Sequence, residues 1–449
     1  MSIQLSEHFT YKKLIKFTLP TIAMMIFSSI YGVVDGIFIS NCVGSDAFAA
    51  VNLIFPPIMI LGAVGFMIGT GGSALVSKTI GEGDTKKANE YFSMLIYLLI
   101  GLGIVLTVIG LLVIEPVSVW LGAEGNTLTN CITYGTVLLI GLIPYMLQNC
   151  FQSFLVVAEK PSMGLIISIA AGVTNMILDF VFVYLLKELN IVNMGVFGAA
   201  LVTVISQVVG GIIPLIYFSR KNDSMLKLTK AKLELKPIIK TCANGSSEML
   251  TNLSLSLVNM LYNVQLMEYA ENDGVVAYGI IMYVGFIFVG TYLGYSIGTA
   301  PIIGYHYGAG NKNELKSLFK KSLKLIAITS IILTGLAEIF AELLASIFVS
   351  YNADLLEMTT NAIRLYSISY LISGFNIFAS SFFTALNDGF VSAVISFLRT
   401  LVFQIATILI MPEIWDLNGI WLAIVVAEIL SLGVSAVFLI CKKKKYEYA

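Results

Sequence analysis

The sequence predicts an all-α polytopic membrane protein with twelve transmembrane helices, and three observations support this fold class. Of the 449 residues, 57% are hydrophobic and only 12% are charged, whereas ordinary soluble domains carry about 25% charged residues. Apolar stretches of the roughly 20 residues needed to cross a bilayer recur along the chain. No stretch alternates polar and apolar side chains in segments of about ten residues, as the strands of a membrane β-barrel do.

Twelve apolar stretches, separated by polar connectors, are candidate spanning helices. The first could be a secretory signal, because a basic segment precedes it, but it contains Pro20 and Asp35 and lacks an AxA-like cleavage site. Such a stretch is better interpreted as the first spanning helix. In chain order, the predicted spans are residues 17–39, 48–77, 91–114, 131–156, 162–186, 195–218, 238–264, 275–304, 318–348, 358–385, 389–411 and 417–440.

The distribution of basic residues predicts the orientation of these helices. If the N-terminus is inside, only Lys187 and Arg364 fall on the outer side, Arg399 lies within the eleventh span, and every other Lys and Arg is on the inner side. Inner loops of membrane proteins are enriched in Lys and Arg. We therefore expect an even number of spans and both termini in the cytoplasm.

The longest polar connector, residues 219–236, follows the sixth span and divides the chain nearly in half. An internal repeat supports this division, because IGTGGSALVSKTIGEGDTKKA at 68–88 resembles IGTAPIIGYHYGAGNKNEL at 297–315. Since six spans are an even number, both copies begin on the same side of the membrane, as parallel repeats with a pseudo-twofold axis along the membrane normal and a substrate path between them. The predicted parts are an N-lobe of residues 1–218, a cytoplasmic linker of residues 219–237 and a C-lobe of residues 238–449.

Motifs of soluble enzymes are not found in the sequence. The glycine-rich GTGGS at 69–73 and GEGDTK at 81–86 do not match a phosphate-binding loop. With only two histidines, His8 and His306, and no HExxH or GxSxG motif, a hydrolytic site is hard to assemble. The five cysteines lack a metal-type or CxxC spacing and are interpreted as free. We therefore predict no enzyme, no cofactor and no nucleic-acid partner.

Polar residues within the apolar spans are the strongest functional signal. Asn175 and Asp179 are four residues apart in the fifth span and so share one helix face. Helix direction places Asp35, Asp179 and Thr203 in the outer half of the membrane. If the two acids are close, they cannot easily both be ionised, so one is protonated or a cation lies between them. The alternative is a structural acid that is hydrogen-bonded to neighbouring helices.

The order of four motifs resembles the multidrug and toxic compound extrusion family (MATE), most of all its DinF-like and MepA-like bacterial branches. The resemblance covers essentially the whole chain. The motifs are Pro20 fifteen residues before Asp35, a GxGDxxxA-like loop (Gly81, Gly83, Asp84, Ala88), the NxxxD of the fifth span (Asn175, Asp179) and the GAAxxT of the sixth (Gly198 to Thr203).

This resemblance implies a V-shaped pair of six-helix lobes in the bacterial cytoplasmic membrane. Such proteins export organic, often cationic and lipophilic, compounds in exchange for H⁺ or Na⁺. By motif, Asp35, Asn175, Asp179 and Thr203 would form the N-lobe cation site, and no other metal is implied. Pro20 would be the flexible point of the first helix, or else a static kink. We expect a monomer.

The seventh helix departs from the branches that place the cation site in the second lobe. Those branches use an acid near the middle of this helix, where Leu255 stands here, and Glu248 lies nearer the inner end. This favours coupling in the N-lobe. Glu248 is either a substrate contact or a salt-bridged residue, Glu428 is equally open, and Arg399 could neutralise one of these acids. The candidate substrate-cavity contacts are Tyr31, Asn149, Gln152, Glu248 and Asn259.

The predicted function is a secondary active multidrug exporter that works by alternating access, with the lipid bilayer and small organic cations as partners. The main alternative is a flippase for lipid-linked substrates. A flippase needs basic residues in its cavity to hold phosphate, and only Arg399 and Arg364 lie near the bilayer. An intramembrane enzyme and a channel or receptor are further alternatives. The sequence leaves open the substrates, the coupling ion, the stoichiometry and the resting conformation.

Overall fold

The computed structural model describes residues 3–38, 45–185 and 194–449, without the side chains of residues 33, 35–38 and 45–48. Over these residues the regular structure is entirely helical, which confirms the predicted all-α membrane class. Asp35 lies in the first helix, but its side chain is outside the described residues.

The described residues of the first half form seven α-helices. Asp84 caps the N-terminus of the third helix. Its Oδ1 accepts the backbone N–H of Lys87 (3.0 Å), which would otherwise have no partner within the helix. The helices are α1 (Tyr11–Phe38), α2 (Ser45–Gly81), α3 (Thr85–Trp120), α4 (Gly125–Ile140), α5 (Leu142–Val157), α6 (Pro161–Asp179), which continues as a π-helix (Phe180–Leu185), and α7 (Gly195–Ser219).

The second half forms eight α-helices and one π-helix, and two of the α-helices begin at asparagine caps, Asn311 and Asn352. The helices are α8 (Leu235–Gly308), α9 (Lys312–Ile339), α10 (Ala341–Val349), α11 (Ala353–Ser367), α12 (Tyr370–Ala385), α13 (Gly389–Phe397), a π-helix (Leu398–Val402), α14 (Phe403–Ile410) and α15 (Pro412–Tyr446).

The number of spans depends on how bent helices are counted. Within the described ranges, nine helices are long and apolar enough to cross a membrane, or up to eleven if α4 with α5 (bent by 55°) and α11 with α12 (bent by 45°) each form one span. Helix α8 has 74 residues, more than three times what a bilayer needs. Its geometry breaks at Ala270 and Glu271, so it covers two of the twelve predicted spans. Length and composition alone do not fix the count at twelve.

Glycines let the first and second halves touch backbone to backbone. A Cβ on Gly71 of α2 would lie 2.0 Å from the carbonyl oxygen of Thr241 in α8, and a Cβ on Gly245 would lie 1.9 Å from that of Met67. A Cβ on Gly308 would likewise lie 2.1 Å from the carbonyl oxygen of Lys78. Small residues permit such close helix packing within membranes. Helix α2 therefore packs against both ends of α8.

Both chain termini lie at one end of the helix bundle, which we call the terminal face. One buried apolar cluster joins Leu5 and Phe9 near the N-terminus to Tyr446 and Tyr448 near the C-terminus. Two further clusters lie within the first half and within the second half, respectively. Among the described residues, the cluster at the terminal face is the one whose buried members come from both halves.

Candidate cation and substrate site

Two polar side chains are buried at the end of α6. Asn175 is 2% exposed and Asp179 is 0% exposed, and their spacing places them on one face of the helix. Asp179 is the last α-helical residue before the π-helix Phe180–Leu185. Short π-helical segments occur frequently at functional sites. A buried carboxyl group at this point needs a compensating proton, ion or partner.

Helix α1 packs against the face of α6 that carries these two residues. A Cβ on Gly172 would lie 3.0 Å from the Tyr31 ring, and Gly164 lies near Met24. The two helices therefore run in the same direction. Since Asp35 follows Tyr31 by one helical turn, the backbone of residue 35 lies at the level of Asn175 and Asp179.

Thr203 lies on α7, which also packs against α6. Its side chain is half-buried, and its Oγ1 donates a hydrogen bond to the carbonyl oxygen of Ala199 (3.1 Å). A hydroxyl that donates to its own helix keeps its oxygen lone pairs as acceptors. The structure thus brings together the helices of all four predicted cation-site residues, while the side chain of Asp35 lies outside the described residues. Pro20 lies within α1, which continues through it.

Buried amides line the interior of the first half. Met24 and Ser168 line a cavity of about 10 Å³ together with Gln148 and Gln152, which has room for about one water molecule. The Gln152 Oε1 and the Gln207 Oε1 have no hydrogen-bond partner among the described residues. Asn149 is 5% exposed. These acceptors could receive donors from water or from an ammonium group.

Arg399 and Glu428 form a buried ion pair in the second half. The Arg399 Nε donates to both carboxylate oxygens of Glu428 (2.9 and 3.1 Å), and the Nη2 lies 2.8 Å from the Oε1. The Asn376 Nδ2 donates to the Glu428 Oε2 (2.7 Å), and the Ser435 Oγ donates to Asn376. The sequence left open which acid Arg399 neutralises, and the structure shows that it is Glu428.

Glu248 differs from Glu428. It is half-buried on α8, and no described residue forms a hydrogen bond or ion pair with its carboxylate, although Arg399 attracts it electrostatically. Asn259 is already engaged, because its Oδ1 accepts the Tyr278 hydroxyl (2.8 Å). Of the two weakly predicted contacts on α8, Glu248 has the freer polar group.

Sequence reasoning missed the polar seam between α12 and α13. The Ser380 Oγ lies 2.9 Å from the Ser392 Oγ and 2.8 Å from the Ser396 Oγ, and the Thr384 Oγ1 lies 2.6 Å from the Ser392 Oγ. The four-residue spacing of Ser380 with Thr384, and of Ser392 with Ser396, was the signal that could have revealed it. Asn376, the partner of Glu428, precedes Ser380 by the same four-residue spacing.

Comparison with known proteins gives consistent matches over nearly the whole chain. The MatE family model matches residues 20–181 and 249–410. The chain is 25% identical over 422 residues to the multidrug export protein MepA of Staphylococcus aureus (strain MSSA476), covering 93% of this chain and 91% of that one. It is also 25% identical over 428 residues to MepA of Staphylococcus haemolyticus (strain JCSC1435), covering 94% and 91%.

Solved structures share the fold. An outward-facing multidrug resistance MATE family transporter of the MOP superfamily superposes with a TM-score of 0.92 at 23% identity, covering 100% of this chain and 99% of that one. A crystal structure of MATE in complex with MaL6 gives 0.91 at 23% identity, covering 98% of each chain. At this level of identity the likeness supports the fold alone.

Proposed function

The chain belongs to the MatE family of transporters, and from this premise we propose that it exports small organic compounds, chiefly lipophilic cations, in exchange for H⁺ or Na⁺. The predicted resemblance to MATE proteins is confirmed, as is the prediction of a transporter rather than an enzyme. The multidrug export proteins among its relatives support the substrate class. The observation that carries the proposal is the buried pair Asn175 and Asp179 beside α1.

In this proposal the two halves of the chain are lobes, residues 1–218 and 238–449, joined by the linker 219–237. The family model matches once in each half, and each half has an apolar cluster of its own. Both observations support two units that could rock against each other. The terminal face is the cytoplasmic side of a bacterial plasma membrane, which the enrichment of Lys and Arg in the predicted inner loops supports, and the transporter is a monomer.

The coupling site of the proposal consists of Asp35, Asn175, Asp179 and Thr203. In the outward-open state a proton or Na⁺ from outside binds between the two carboxyl groups, because two nearby acids in the membrane cannot both stay ionised without it. Its binding favours release of the substrate, and it travels inward as the lobes rock. One uncompensated charge that crosses about 100 mV supplies roughly 2.3 kcal/mol, close to a 50-fold concentration ratio.

Glu248 is the proposed contact for the cationic part of the substrate. Its carboxylate lacks an ion-pair partner among the described residues, whereas Glu428 is neutralised by Arg399. Pro20, where α1 lacks one backbone hydrogen bond, is the proposed bending point of that helix.

The ion pair of Arg399 with Glu428 argues against the alternative function, a flippase for lipid-linked substrates. Arg399, one of two basic residues near the bilayer, is already bound by Glu428 and so is not free to hold a phosphate group.

The test uses purified protein in proteoliposomes. Efflux of a fluorescent lipophilic cation is measured under an imposed pH gradient, an imposed Na⁺ gradient and no gradient, beside translocation of a fluorescent phospholipid. Gradient-driven efflux of the cation supports the proposal, and the effective gradient identifies the ion. Phospholipid translocation without cation efflux would contradict it in favour of the flippase.

A further inference from the structure

Residues 3–10, which precede α1 and which we call the N-terminal strap, connect to both halves of the chain. The backbone N–H of Leu5 donates to the Glu159 Oε1 (2.6 Å), between α5 and α6. The backbone N–H of Phe9 donates to the Glu314 Oε1 (2.9 Å), in the first turn of α9. One carboxylate of each half therefore holds the strap.

The side chains of the strap are anchored as well. Leu5 and Phe9 are both 0% exposed, and the Phe9 ring packs edge-on against His306 at a centroid distance of 6.5 Å. The His8 Nδ1 lies 2.5 Å from the Glu314 Oε2, and the Lys321 Nζ donates to the carbonyl oxygen of Phe9 (2.5 Å). Chain ends are commonly poorly ordered unless they are tied down, and this one is tied down at several points.

The contacts of the strap differ in whether they cross between the two halves. The strap is continuous with α1, so its bond to Glu159 stays within the first half, whereas its contacts with Glu314, Lys321 and His306 cross to the second half. Other contacts cross at the same face, among them the Asn387 Nδ2 donating to the carbonyl oxygen of Ala74 (3.0 Å). If the halves separate at the terminal face, the crossing contacts of the strap have to break.

We propose that the N-terminal strap is a latch that holds the terminal face closed, and that release of Phe9 and His8 from Glu314 precedes opening to that side. This proposal rests on the alternating access of the proposed function. The bonds to Glu314 involve a carboxylate and are stronger than bonds between neutral groups. Because they exist with the face closed and not with it open, they bias the equilibrium toward the closed state.

The test measures how often the terminal face opens. Thr241 is 0% exposed and lies against Gly71 across the two halves, so Thr241→Cys, with the native cysteines replaced by serine, reports opening through its labelling by a membrane-impermeant maleimide added on that side. We expect Glu314→Ala to raise the labelling rate about tenfold, since loss of a charge-assisted hydrogen bond shifts an equilibrium by about that factor. Phe9→Ala keeps the backbone N–H but removes the buried ring that packs against His306, and it should raise the labelling rate as well. The milder Glu314→Gln, which keeps an acceptor for the Phe9 N–H, should give a smaller rise.

Lys13→Ala is the matched control. It removes the ion pair of Lys13 in α1 with Glu7 of the strap (2.5 Å), which does not cross between the halves, and it should leave labelling unchanged. The latch is refuted if the wild-type rate responds to an imposed ion gradient while all Glu314 and Phe9 variants match it, or if Lys13→Ala raises labelling as much as Glu314→Ala. Labelling of the wild type that no gradient or substrate changes would instead contradict alternating access itself.

Discussion

Asp179 and Glu428 are both buried acids in membrane helices, but their surroundings give them different roles. Glu428 is bound by Arg399 and Asn376, which suits a permanent ion pair. Asp179 lies at the junction of α6 with a π-helix, on the face that meets α1. Of the two, only Asp179 has the setting expected of a group that exchanges its proton or ion in each cycle.

Replacing Arg399 tests the structural role of the ion pair. Arg399→Ala leaves the carboxylate of Glu428 buried without its cation, and breaking such a pair costs about 3–5 kcal/mol. We therefore expect a clearly lower midpoint of thermal unfolding in detergent. The double variant Arg399→Met with Glu428→Gln should recover most of the loss, and equal midpoints for wild type and Arg399→Ala would show that the pair is not structural.

Glu159, which holds the strap in the first half, gives a pH dependence. Burial raises the pKa of Glu159 from its ordinary value of 4.5, so the folded chain binds this proton more tightly than the unfolded chain does. Its contribution to stability is therefore greatest below about pH 4.5 and is lost as the pH rises from there through the raised folded pKa. Glu159→Gln mimics the neutral acid and keeps an acceptor for the Leu5 N–H.

We expect Glu159→Gln to be at least as stable as the wild type at pH 8, with a difference that shrinks as the pH falls toward 5. Thermal unfolding of both proteins from pH 5 to pH 8 checks this, and the comparison cancels the other titrating groups. A difference that grows as the pH falls would show that Glu159 acts as an anion in the folded protein.

The sequence predicted these residues unevenly. The spacing of Asn175 and Asp179 along one helix was enough to predict their shared face, and the structure buries both. The pairing of Arg399 with Glu428 could not be predicted from the sequence, because this contact depends on how two separate helices pack and rotate. The packing of Phe9 against the buried His306 could not be predicted from the sequence either, because the two residues are far apart in the chain.

Among the helices, α2 and α8 bring the two halves into backbone contact. Gly71→Ala would place a methyl group 2.0 Å from the carbonyl oxygen of Thr241, and backbone atoms cannot rotate away as a side chain could. We expect a loss of about 1–3 kcal/mol, the usual cost of overpacking, visible as a lower midpoint of thermal unfolding.

Gly101→Ala in α3 is the control for this substitution, because nothing lies within 4 Å of a Cβ at that position. Alanine favours a helix over glycine by about 1 kcal/mol, so this variant should be as stable as the wild type or more so. If both variants behave alike, the contact of α2 with α8 has room to adjust and does not hold the halves together.

Helix positions followed from hydrophobicity, but helix breaks did not. Every predicted span overlaps a helix of the structure, including the two that α8 combines. The bends between α4 and α5 and between α11 and α12, and the π-helix after Asp179, depend on the packing of neighbouring helices. Composition averages over such local changes.

For the assembled chain, the fold class and the family follow from the sequence, whereas the conformation does not. Contacts at the terminal face, from the strap to the glycines of α2 and α8, join the two halves there. Such contacts are made between residues far apart in the chain, so no local sequence pattern predicts them. They place the structure in a state with its terminal face closed.

The central claim is that Asp35 of α1 and Asp179 of α6 couple ion entry to export. The most direct measurement is gradient-driven efflux of a fluorescent lipophilic cation from proteoliposomes, comparing the wild type with Asp35→Asn, Asp179→Asn and the exposed control Asp354→Asn. The account predicts that Asp35→Asn and Asp179→Asn lose the response to the gradient while Asp354→Asn keeps it. Efflux that responds to the gradient equally in all four proteins would contradict it.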